Sequence, residues 1–141
     1  MNDIEVSNLE EDAQFIRQKL NEYNFGLVSA DNHKKLCLVV RREGDTIAGL
    51  LGGTYWNWLY IELFWVDKKM RGEGLGSGVL QKAEEIAVQR GCKNAHLETH
   101  DFQNLNFYLK RGYVVFGQLE NLPEGYTKFY LCKRLVEEPK E

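Results

Sequence analysis

Proline is scarce in this chain, two in 141 residues, so proline-rich recognition segments are excluded. Cysteine is scarce too. Cys37, Cys92 and Cys132 are odd in number and widely spaced, with no C-x-x-C pair, which removes zinc-ribbon and thioredoxin-like arrangements. Apolar runs last only a few residues, far short of the ~20 that span a bilayer, so no membrane partner is expected. Basic residues are not in excess. Lys and Arg total 18 against 21 Asp and Glu, a net charge of −3, a poor electrostatic footprint for nucleic acid. The opening M-N-D-I-E-V-S-N-L-E-E-D-A-Q has no basic region followed by an apolar stretch, so no secretion signal is expected. A cytoplasmic location follows as the expectation, with reduced thiols. Cys37 and Cys132 lie in strand-like runs and are expected to be buried.

What is present is ordinary for a globular protein: 43% hydrophobic and 28% charged residues, with 12% aromatic. The length suits a single domain, residues 1–141, able to bury a core without staples. Asp3 to Ser7 alternates as a short strand. Ser7 and Glu10 have the spacing of a capping box, and Leu9, Ala13, Ile16, Leu20 and Tyr23 recur as the stripe of an amphipathic helix over 8–24. An irregular stretch follows, from Asn24 to Lys34. Lys35–Arg42, Thr46–Trp56 and Trp58–Val66 form a three-strand meander, its first turn at Glu43-Gly44-Asp45 and its second near Asn57. The period then changes. Leu75, Val79, Ala83, Ile86 and Ala87 mark a helix over 74–90 ended by Gly91. Asn94–Thr99 is a strand, Leu105–Arg111 a short helix, and Tyr113–Leu119 and Tyr126–Leu135 the closing strands. A meander followed by a helical crossover predicts a mixed α/β fold whose strands on either side of the crossover run parallel.

The most informative stretch joins the third meander strand to the long helix: V-D-K-K-M-R-G-E-G-L-G-S-G-V-L, with glycines at 72, 74, 76 and 78. Glycine permits close backbone approach and unusual φ/ψ, and free amides at a helix start form an anion site reinforced by the helix dipole. The stretch lacks the lysine of a P-loop and the spacing of a dinucleotide fingerprint, so neither nucleotide class fits.

Arg71-Gly72-Glu73-Gly74-Leu75-Gly76 matches the [QR]-x-x-G-x-[GA] signature of the GNAT superfamily of acyl-CoA N-acyltransferases. Phe107 to Tyr113, F-Y-L-K-R-G-Y, resembles that family's F-Y-x-x-x-G-[FY] segment, in the same order along the chain. The resemblance spans nearly the whole sequence. It implies a central mixed, mostly antiparallel sheet flanked by helices, with coenzyme A between splayed parallel strands. It also implies an acetyl-CoA-dependent N-acetyltransferase that passes the acetyl group directly to the primary amine of a small molecule in a ternary complex. Acetyl-CoA is the cosubstrate and no metal is expected. A non-catalytic acetyl-CoA sensor and a peptide or protein N-acetyltransferase are the alternatives, and a homodimer is a further expectation.

By the resemblance, the turn from Arg71 through Gly72, Glu73, Gly74, Leu75 and Gly76 to Ser77 holds the pyrophosphate, and Phe64, Trp65 and Val66 pair with the pantetheine arm as an added strand. The family's asparagine before the tyrosine is replaced here by Asp101, with Asn104 three residues on. Either contacts the arm, or Asp101 merely caps the short helix. Tyr108 matches the tyrosine that protonates the departing thiolate. For the general base, Glu62 and Glu98 are both candidates. Glu62 interrupts an apolar strand, where burying a carboxylate is costly unless it is used or paired, and period 2 would put Tyr60, Glu62 and Phe64 on one face. Glu98 sits on the neighbouring strand between His96 and His100, a spacing that could also hold a metal. Tyr55, Trp56, Trp58, Tyr60 and Trp65 read as core packing, as an acceptor-pocket wall or as a dimer contact. Tyr23–Asn32 and Glu120–Lys128 are the segments expected to border the acceptor.

Overall fold

The computed structural model describes residues 2–137. The chain divides after Asp31 into two compact units. The first holds helix α1, Glu10–Leu27, whose opening turn carries Glu10, Glu11 and Asp12, the sign favoured at a helix N-terminus. The expected capping box does not form. Leu9 occupies the cap position without a side-chain bond, and Ser7 instead bonds the carboxylate of Asp12 while its Oγ accepts from the Leu9 amide. The expected strand over Asp3–Ser7 is also absent, since no neighbouring strand pairs with it.

The second unit is a six-stranded sheet with two helices. Its elements are β1 (Lys34–Arg42), β2 (Asp45–Tyr55), β3 (Trp58–Val66), a 3₁₀ turn (Lys68–Met70), α2 (Leu75–Gln89), β4 (Asn94–His100), α3 (Leu105–Leu109), β5 (Val114–Glu120) and β6 (Thr127–Arg134). The strand order is β1-β2-β3-β4-β6-β5. Glu43 and Gly44 take φ of 53° and 85° in the first hairpin, the pair of positive angles that matches strand twist. Trp56 and Asn57 do the same in the second. Every neighbouring pair is antiparallel except β3 and β4, which the α2 crossover makes parallel.

One face of the sheet is the core. Leu59 and Ile61 of β3, Ala95 and Leu97 of β4 and Leu131 of β6 meet Val79, Leu80, Ala83 and Ala87 of α2. Burying a leucine of this kind is worth about 1.5–3 kcal/mol. Tyr113 and Lys133 fasten this layer, the phenol donating to Glu84 at 2.8 Å and the ammonium pairing with the same carboxylate at 2.8 Å. Cys37 departs from expectation. Leu36 takes the inward position in β1 and Cys37 alternates outward, exposed, because successive side chains of a strand point to opposite faces.

The parallel seam is short. Trp58–Ile61 pair with Asn94–Leu97, and there the pairing stops. Beyond it β3 continues to Val66 bound only to β2, and β4 continues to His100 bound only to β6. The two strands open as a V.

Candidate active site

The V and the glycine turn belong to one groove of about 960 Å³, large enough for an extended cofactor-sized molecule. Its floor begins at the last parallel pair, Ile61 and Leu97. Glu62 and Glu98 are the next residue on each strand, so the two carboxylates flank the vertex. From Glu62 to Val66 the edge of β3 that faces β4 has no strand partner among the described residues, leaving backbone groups open for an added strand, apart from the Val66 carbonyl, which accepts from Arg71.

β3 carries a bulge there. Leu51 pairs with Leu63 and Gly52 with Ile61, leaving Glu62 as the extra residue. A bulge shifts the alternation by one. Phe64 therefore joins the core side with Val66, while Tyr60 lies on the opposite face with His96 and Glu98. This corrects the period-2 expectation that Tyr60, Glu62 and Phe64 share a face. Gly52 permits the bulge: a Cβ there would sit 2.1 Å from the Tyr60 carbonyl oxygen.

The far end of the groove is the turn. Gly72 and Gly74 have φ of 89° and 80°, a region L-residues rarely adopt, and the space a Cβ would fill at either is open. Gly74 is the cap of α2 and supplies no side-chain bond. The first helical bond shown runs from the Gly78 amide to the Gly74 carbonyl, so the amides of Leu75, Gly76 and Ser77 are the orphan donors of a helix start. Arg71 is exposed, yet its Nε donates to the Val66 carbonyl at 3.3 Å and ties the turn to the strand end. Glu73 pairs with Arg42 at 3.6 Å, which holds that acidic side chain on β1.

Tyr108 stands on α3 where the motif puts it, lining the groove yet only 8% exposed. Its ring packs edge-on against Phe64, Phe107 and Tyr113. Burial pushes the phenol up to about 12, so it keeps its proton across the physiological range. Asn104 is the α3 cap position and lines the groove without a side-chain cap bond. Asp101 is a structural residue of another kind than expected: its carboxylate accepts from the Thr127 amide at 3.0 Å, holding β6 rather than capping α3. Trp65 is exposed and lines the groove, apart from the rest of the aromatic cluster.

On the face away from α2, Tyr60 donates to Glu98 at 2.8 Å and stacks on His96 with centroids 4.7 Å apart. Burial, the bond to Glu98 and the charges of Glu98 and Glu62 raise the Tyr60 phenol to about 12. Both carboxylates thus act on one hydroxyl. Burial holds His96 below the usual histidine range, against the pull of Glu98, and its Nε2 meets the Tyr55 hydroxyl at 2.9 Å. His100 bonds Gln103 and stacks on Phe102. Among the described residues no three His, Cys, Asp or Glu side chains gather as a metal site.

Several groove residues carried no expected site role: Thr99, Phe102 and Gln103, and within the F-Y-L-K-R-G-Y segment Phe107 and Arg111. Arg111 had a visible signal: it stands four residues after Phe107 in a stretch expected to be helical, and although α3 ends at Leu109 the turn that follows keeps it beside that ring. Its guanidinium lies 3.8 Å over the Phe107 ring and donates to the Phe107 carbonyl, while its Nε is buried without a partner.

Residues 3–113 match the Acetyltransferase (GNAT) family. The chain belongs to that family, and it is an acyltransferase enzyme. It is 40% identical over 94 residues to blasticidin-S acetyltransferase of Streptomyces morookaense, which covers 66% of this chain and 69% of that one. A crystal structure of an acetyltransferase from Bacillus cereus superposes with a TM-score of 0.89 at 31% identity, over 94% of this chain and 97% of that one. An aminoglycoside 6'-N-acetyltransferase complexed with coenzyme A shares the fold at 15% identity and a TM-score of 0.68, over 75% of this chain and 76% of that one. No helix among the described residues is long and apolar enough to cross a membrane.

Proposed function

We propose that this protein transfers an acetyl group from acetyl-CoA to the primary amine of a small molecule. One observation carries the reading: a strand edge open from Glu62 to Val66 and an uncapped glycine turn lie in a single groove. Pantetheine amides pair with the free edge, and the pyrophosphate meets the amides of Gly72 to Ser77. The relative of the same fold complexed with coenzyme A supports this use of the groove.

In the reaction the neutral amine attacks the thioester carbonyl carbon. A backbone N–H near Val66 stabilises the oxyanion, fixed in place before the reaction begins. The C–S bond breaks, the thiolate takes the Tyr108 proton, and the products are an N-acetyl amide and coenzyme A. Glu62 and Glu98, at the vertex, attract the cationic amine and accept the proton it sheds. The test is thiol release from acetyl-CoA against a panel of small amines, with calorimetric binding of coenzyme A in parallel. Saturable release with at least one amine is expected. Coenzyme A binding without release from any amine would overturn transfer in favour of a sensing role.

A further inference from the structure

A second cavity, about 500 Å³, opens on the face of the sheet away from α2. Tyr55, Trp56, Trp58, His96, Phe116 and Cys132 line it. Its position follows from register. His96 of β4 lies opposite Cys132 of β6, Trp58 begins β3 beside Asn94, and Tyr55 and Trp56 close the β2–β3 hairpin. Phe116 is the extra residue of a bulge between Val115 and Gly117 of β5, which turns it out of the regular alternation. Phe116 is 63% exposed, so it stands as a rim and not as core.

The cavity adjoins the groove through three side chains. His96 lines the cavity and Glu98 the groove, two residues apart on the same face of β4 and hence roughly 7 Å apart. Tyr60 bridges them, stacking on one and donating to the other. A molecule seated against the aromatic walls would point toward Glu98, the carboxylate at the vertex of the groove. Among the described residues no carboxylate, lysine or arginine lines the cavity. It offers flat apolar surfaces, one imidazole and one thiol, and what such walls recognise is a planar ring.

We infer that this cavity is the acceptor subsite and that it selects amines whose aromatic or heteroaromatic ring is joined to the nitrogen by a linker matching the roughly 7 Å between His96 and Glu98. The inference rests on the acetyl-transfer reading for the role of the amine. The binding of the ring itself does not depend on that reading.

Two measurements test it. The first compares acetylation of 3-phenylpropylamine with that of propylamine, in wild type and in Phe116→Ala. Because Phe116 is a rim residue, its truncation spares the core. Wild type should prefer the phenyl amine at least tenfold in kcat/KM. Phe116→Ala should raise KM for that amine about tenfold, leaving propylamine and acetyl-CoA unaffected. Equal kcat/KM for both amines in wild type would overturn the specificity. The second needs no turnover. 3-Phenylpropanol, which has the ring but no amine, should slow iodoacetamide labelling of Cys132, with exposed Cys37 as the internal reference read by peptide mass spectrometry. Unchanged Cys132 labelling would overturn the subsite. Protection of Cys132 together with no acetylation of any amine would uphold the subsite and sink acetyl transfer alone. Shielding of Cys132 that grows with protein concentration and needs no added ring would overturn the inference in favour of contact between two copies of the chain.

Discussion

In the proposed reaction Tyr108 must combine two demands that usually conflict. A proton donor must reach the reacting atom, and a side chain with only 8% exposure is mostly spent on packing. α3 resolves this by placing the ring among Phe64, Phe107 and Tyr113 while the residue still lines the groove. Tyr108→Phe keeps the packing, so its melting temperature should stay close to wild type. Turnover with acetyl-CoA should fall about 10²-fold, the range for losing one general acid, and fall less with a thioester whose thiol is more acidic. Full kcat in the mutant would make Tyr108 a packing residue only. The carboxylates at the vertex give a second residue-scale prediction. Glu62→Gln and Glu98→Gln should each lower kcat/KM for the amine without changing KM for acetyl-CoA. The deficit should be largest near neutral pH, where the amine is mostly protonated, and shrink as pH approaches the amine's own pKa. A pH-independent deficit would point to binding geometry and not to proton removal.

At the scale of elements, the turn before α2 and the bulge in β3 shape the groove. Gly74→Asp adds strain at φ of 80° and a negative charge beside the orphan amides. Coenzyme A affinity measured by calorimetry should drop at least tenfold, about 1.4 kcal/mol. Gly74→Asn, which tolerates the left-handed region and carries no charge, should lose much less. Equal losses would show that backbone strain, and not the anion, dominates. Gly52→Ala tests the bulge. Its Cβ would strike the Tyr60 carbonyl, so the hairpin must shift, at a cost of about 1–3 kcal/mol seen as a lower melting temperature. A fully stable mutant would mean that β2 does not fix the position of Glu62. The sequence announced these two elements unequally. Four alternating glycines after Arg71 made the turn visible, because few other structures need so many. The bulge was missed even though Gly52-Gly53 inside a strand is its ordinary signal, since the apolar letters of I-E-L-F-W fit an unbroken strand equally well. Ser7 and Glu10 show the reverse error. Their spacing is that of a cap, yet the Asp12 carboxylate competed for the Ser7 hydroxyl.

Over the whole molecule, three tyrosines report on alkaline stability. Burial raises Tyr108 and Tyr60 to about 12, and burial beside Glu84 raises Tyr113 as well, from an ordinary value of 10.0. The unfolded chain loses these protons first. Stability is therefore fully present below pH 10 and lost as pH climbs toward 12. Thermal melts across pH 8 to 12 should be flat and then fall steeply, and Tyr113→Phe should blunt the fall. A melting temperature constant to pH 12 would contradict the burial of these phenols. The order of elements from β1 to β6 was legible at this scale because meander, crossover and hairpin each leave a periodic trace. The aromatic cavity was not. Its walls come from β2, β3, β4, β5 and β6, and no single stretch of sequence records that Phe116 and Cys132 stand near Trp58.

The shortness of the parallel seam has a mechanical consequence. Two three-stranded ribbons, β1-β2-β3 and β4-β6-β5, share a ladder of only four residue pairs, like two boards joined by one hinge plate at the corner. A load that spreads the V is resisted by that ladder and by the side chains beneath it. A molecule laid along the open edge acts as a temporary seventh strand, so each catalytic cycle would rivet the two ribbons together and then unfasten them.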